Sequence, residues 1–119
     1  MSNDSLNSHL LDLANAEGAA IYCRTTNFSY QQQLAQCLNY AKQHELTVNS
    51  DHIYVEDDTV TSDQILQRPG FAAMQLSLMR GKFSELIVAS TEVLFHDSSD
   101  LQSFTQQLAA NGVKFYVIG

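Results

Sequence analysis

Tryptophan is missing from this chain, proline occurs once, at position 69, and lysine and arginine together occur six times in 119 residues. Each scarcity excludes something. Thirteen acidic residues against six basic ones leave a net charge of −7. A domain that grips DNA through its own surface is usually basic, because phosphate neutralisation supplies most non-specific affinity. The two cysteines, Cys23 and Cys37, have neither CxxC nor zinc spacing and read as reduced, buried small hydrophobes. His9, His44, His52 and His96 are scattered, with no pair at metal-ligand spacing, so no metal and no cofactor is expected. No apolar run approaches the ~20 residues needed to cross a bilayer. The polar, acidic N-terminus lacks the basic-then-apolar order of a signal peptide, and a cytoplasmic location is expected, with no membrane partner. Neither GxGxxG nor the Walker phosphate loop occurs.

What remains is a globular composition, 45% apolar and 16% charged, in a length that suits one domain. Residues 1–18 stand apart. Leu6, Leu10, Leu11 and Leu13 with Ala14 suit a short amphipathic helix ending before Gly18. This N-terminal extension reads as packing loosely on the domain or, alternatively, as binding a partner.

Residues 19–119 alternate in character. Ala19 to Arg24 is a compact apolar run, expected as a strand buried on both faces. Ser29 to Glu45 reads as a helix, opened by a Ser29–Gln32 capping box and carrying Leu34, Cys37, Leu38 and Ala41 on one face. A second strand is expected over Ile53 to Val55, running into Glu56-Asp57-Asp58, which reads as a solvated acidic rim. A polar linker, Thr59 to Gln67, precedes Pro69, which sits where a helix would start, and Gly81 is placed to end that helix. Leu86 to Ala89 is a third strand, Thr91 to Asp97 a loop, and Ser99 with Gln102 the opening of another helix closed by Gly112. Val113 to Ile118 is the fourth strand. Strand–helix alternation at this spacing implies an α/β domain with a parallel sheet covered on both faces. Sites in such sheets form outside the carboxyl ends of the strands.

Three residues near those ends suit phosphate chemistry. Arg24 ends an apolar strand and Thr26 follows on the turn. A guanidinium fork binds two phosphate oxygens, and a hydroxyl attacks or hydrogen-bonds. The plain alternative pairs Arg24 with Glu56 or Asp57 and leaves Thr26 an ordinary turn residue. Phe28, Tyr30 and Phe95 beside His96 read as core or rim packing, with base stacking as the alternative.

The run Tyr22-Cys23-Arg24-Thr25-Thr26 resembles the Tyr-Ala-Arg-Val-Ser-Thr strand that opens serine recombinase (resolvase) catalytic domains. The resemblance continues in order through Gln31-Gln32-Gln33-Leu34, the acid-ended strand Ile53 to Asp58, Arg68-Pro69-Gly70-Phe71, Arg80-Gly81-Lys82 with Leu86 to Ala89, and Ala109 to Phe115. It implies a three-layer α/β/α sandwich with a mainly parallel four-stranded sheet in the flavodoxin-like order 2-1-3-4. It also implies metal-free DNA strand cleavage, in which Thr26 stands at the serine nucleophile and Arg24 and Arg68 match phosphate-binding arginines.

The departures matter as much. Where the family has Asp-Arg-Leu-Ser-Arg, this chain has Glu92-Val93-Leu94-Phe95-His96, so two arginines become valine and histidine. No base adjoins Thr26 in sequence, although His96 could serve if its loop folds back. The family's long oligomerisation helix and helix-turn-helix domain are not expected beyond Gly119. The expectation is a catalytically impaired resolvase-like domain acting as a binding or regulatory module. The alternatives are an active recombinase subunit using Thr26 and a small phospho-ligand module on a flavodoxin-like sheet. DNA is a partner by resemblance only, and a homo-oligomer is compatible with the family.

Overall fold

The structure is a computed structural model describing residues 18–56 and 68–119. The readings on 1–17 and on Asp57 to Gln67 fall outside the described residues. Four strands, β1 (Ala19–Arg24), β2 (Val48–Glu56), β3 (Glu85–Val88) and β4 (Lys114–Val117), form one sheet in the order β2-β1-β3-β4. All three pairings are parallel. Three helices connect them: α1 (Tyr30–Gln43), α2 (Pro69–Met79) and α3 (Ser98–Ala110). The expected sandwich and strand order are therefore present.

The order dictates the layers. The chain steps from β1 to one side for β2, then returns across β1 to β3 and β4. Right-handed crossovers then place α1 on one face and α2 with α3 on the other. Residues of β1 alternate accordingly. Ala19, Ile21 and Cys23 pack with Cys37 and Ala41 of α1. Ala20 and Tyr22 pack with Phe71, Met74 and Leu78 of α2 and with Phe104 and Leu108 of α3. Every residue of β1 is buried, as a central strand covered on both faces requires.

The helix boundaries follow local chemistry. Ser29 accepts from the Gln32 amide while the Gln32 side chain returns to the Ser29 amide, the expected capping box. Pro69 occupies the first turn of α2, where its missing N–H is harmless. Gly81 and Gly112 take the left-handed conformation after their helices, with φ of 66° and 71°. Most boundaries shift by one or two residues, and two differences have a clear local cause. β2 begins at Val48, because an edge strand tolerates the polar residues Asn49 to His52 that hide its periodicity. α3 is capped by Asp97, which accepts from the Asp100 amide, so Ser99 lies inside the first turn.

Candidate functional site

The strand order reverses between β1 and β3, and the crevice beyond their carboxyl ends is where open α/β sheets form sites. A cavity of about 470 Å³ lies there, walled by the loop after β1, the first turns of α1 and residues 89–93. Thr26 lines it, is half-buried, and accepts a hydrogen bond from the Phe28 amide at 3.4 Å. Phe28 stands 61% exposed at its rim, so this ring is not core.

Gln33 holds that loop in place. Its side-chain nitrogen donates to the carbonyls of Arg24 (2.6 Å) and Phe28 (3.1 Å), and its oxygen accepts from the Arg24 amide (3.0 Å). The side-chain amide thus imitates a neighbouring strand just where β1 runs out of partners. Gln33 is almost wholly buried, and sequence reading had placed it only within a run of glutamines.

The two arginines lie elsewhere. Period-2 alternation puts Arg24 on the same face as Tyr22, the α2 and α3 side. Its guanidinium is fully buried and donates from Nη2 to the Glu92 carbonyl at 2.8 Å. Arg68 is equally buried. It donates to the Val93 carbonyl (3.0 Å) and twice to the Tyr22 hydroxyl (2.9 and 3.2 Å). Its guanidinium carbon sits 4.6 Å from the Phe71 ring centre and 5.1 Å from that of Phe95. Both guanidiniums therefore converge on adjacent carbonyls of one short 3₁₀ turn, Thr91–Val93, from beneath. Neither arginine is among the residues lining the cavity of Thr26, whose charged lining residue, among the described residues, is Glu92.

Glu56 explains why Arg68-Pro69-Gly70 folds as it does. The carboxylate accepts from the Gly70 amide (2.6 Å), the Phe71 amide (2.9 Å) and the Tyr22 hydroxyl (2.5 Å). It therefore caps the positive end of α2 from a neighbouring strand. A Cβ on Gly70 would fall 2.8 Å from one Glu56 oxygen and 2.9 Å from the Val55 carbonyl, so this approach demands glycine. Tyr22 joins the charges, donating its one proton to Glu56 and accepting from Arg68. Burial, first, and the Glu56 bond raise its phenol well above the usual range. Glu56 is 3% exposed, which corrects its reading as part of a solvated rim. The proposed pairing of Arg24 with Glu56 is also replaced. The residues are register partners, but the Glu56 carboxylate bonds to the α2 terminus and Tyr22, and Arg24 donates to the Glu92 carbonyl; Asp57, the other partner expected for Arg24, lies outside the described residues. A charged residue ending an apolar strand and a glycine after Pro69 were the available signals.

The segment 92–96 divides by burial. Val93, Leu94 and Phe95 are core, whereas Glu92 and His96 are exposed. His96 is not among the lining residues of the Thr26 cavity. Among the described residues no three His, Cys, Asp or Glu side chains gather to hold a metal, and no helix is long and apolar enough to cross a membrane.

The family model described as Resolvase, N terminal domain, matches residues 19–119. The chain belongs to the resolvase N-terminal domain family. No curated protein matches it. Solved structures share the resolvase fold. The N-terminal catalytic domain of TP901-1 integrase superposes with a TM-score of 0.73 at 21% identity, covering 86% of this chain and 76% of that one. The C-terminal catalytic domain of ISC1926 TnpA, an IS607-like serine recombinase, gives 0.70 at 18% identity, covering 84% and 69%. A serine recombinase from Sulfolobus solfataricus gives 0.61 at 17% identity, covering 87% and 69%. Membership of the resolvase family places the chain among domains of site-specific DNA recombination.

Proposed function

We propose that this resolvase-family domain is catalytically impaired and acts as a non-enzymatic binding or regulatory module. The observation that carries the reading is the separation of hydroxyl from cations. Among the described residues, Thr26 lines a cavity whose charged lining residue is acidic, while Arg24 and Arg68 each donate to a carbonyl of the 91–93 turn, those of Glu92 and Val93. Phosphoryl transfer needs cations at the developing charge, and losing one such arginine lowers the rate by about 10³–10⁵-fold. The positions matched to two further arginines hold the buried Val93 and the exposed His96.

The test is incubation with supercoiled and suicide-substrate duplex DNA, followed by denaturing electrophoresis. No covalent protein–DNA complex and no nicking are expected. A covalent complex that disappears in Thr26→Ala would overturn the proposal and make Thr26 the nucleophile of an active domain.

A further inference from the structure

Helix α2 has no polar side. Pro69 to Met79 contains no charged residue. Its two longer polar side chains are engaged inward, Gln75 with Gln107 and Ser77 with the Tyr54 hydroxyl. Phe71, Met74 and Leu78 fill the core. The opposite side is apolar as well: Ala72 and Ala73 are exposed, Leu76 is 49% exposed and Met79 66%. A helix apolar all round is normally covered on both sides.

We propose that the outer face of α2, centred on Leu76 and Met79, is the docking surface for residues 1–17 of the same chain. Three observations favour this occupant over others. The first is composition: Leu6, Leu10 and Leu13, with Leu11 and Ala14 beside them, recur at helical spacing, matching an apolar stripe with an apolar stripe. The second is charge. The segment holds Asp4, Asp12 and Glu17 with no lysine or arginine, whereas Arg80 and Lys82, two of only six basic residues, flank the end of α2 nearest Met79. The third is reach. Gly18, where the segment joins the domain, accepts from the Ser84 amide at 3.1 Å, and Ser84 lies five positions after Met79. Gly18 therefore lies at the end of the molecule that carries the last turn of α2. Seventeen residues exceed the 11 of α2, which spans about 16 Å at 1.5 Å per residue.

The full chain carrying Met79→Cys with a nitroxide on the new thiol tests this. Cys23 and Cys37 do not compete for label, because both are buried and burial pushes their thiols up to about 12. Amide signals of residues 6–13 are expected to lose most of their intensity, unchanged on dilution. The loss should disappear when Leu6, Leu10 and Leu13 are all replaced by serine and weaken in Arg80→Glu. A label at Leu76→Cys must give the same pattern. Unattenuated signals at both label sites overturn the proposal. So does attenuation that fades on dilution and reappears when labelled chain is mixed with unlabelled isotopic chain, which would assign the face to a second copy.

Discussion

A buried guanidinium loses its hydration, and what offsets that cost is the set of acceptors and ring faces that its surroundings supply. Arg68 meets the Tyr22 hydroxyl, the Val93 carbonyl and the faces of Phe71 and Phe95, while its Nη1 is buried without a hydrogen-bond acceptor among the described residues. Arg68→Ala would leave the Tyr22 hydroxyl and the buried Val93 carbonyl without their donor. A loss of about 1–3 kcal/mol is expected, the usual consequence of leaving a buried polar group unsatisfied. Urea unfolding of the two proteins checks it, and an unchanged or raised midpoint would return Arg68 to a ligand-binding role. In sequence, Arg68 could be placed only by its Arg-Pro-Gly context. Which way its fork points depends on Tyr22 and Val93, 46 and 25 positions away.

At the scale of the element, two short-range patterns compete to start α3, and the earlier one wins. Asp97 accepts from the Asp100 amide, so Asp97→Ala should lower stability by about 1 kcal/mol, as loss of an N-cap does. Ser99→Ala should change the thermal midpoint little, and the reverse ranking would move the cap to Ser99. β2 supplies a second test. The His52 ring nitrogen meets the Tyr54 hydroxyl at 2.8 Å, and Tyr54 continues to Ser77 of α2. Burial lowers the His52 pKa from 6.5, Lys82 lowers it further, and Asp51 opposes them. The unfolded chain therefore binds the proton more readily than the folded one. Stability contributed here is complete above about pH 6.5 and declines as the pH falls below it. Denaturation midpoints measured from pH 7 to 5 should show this decline, and His52→Gln should flatten it; an identical slope in the variant would refute the assignment. The polar half of β2 was not legible in sequence because an edge strand needs no apolar alternation.

For the molecule as a whole, charge and cavity agree. A net −7 domain with two of its six basic residues fully buried has little cationic surface to offer a duplex. This chain should bind non-specific DNA more weakly than the ~10⁻⁴–10⁻⁶ M usual for DNA-binding domains at physiological salt, as fluorescence anisotropy would report. Micromolar binding with a steep salt dependence would contradict that. The same reasoning favours the absence of a covalent DNA complex, since a phosphodiester entering the Thr26 cavity meets Glu92 rather than a guanidinium.

Alternation of apolar runs and capped helices, read from residues alone, was enough for the four strands, the three helices and the two-sided cover. Each of those depends on neighbours within a few positions, through capping bonds, proline at a first turn and glycine after a last one. The ordered segments from Ala19 to Phe115 were enough for the family. The fate of the site depended on contacts between distant segments. Arg24 reaches Glu92 across 68 positions, and Glu56 reaches α2 across 14. A charged side chain goes where its desolvation is best compensated, and only the assembled sheet, with α2 and the 91–93 turn closed over it, offers those partners.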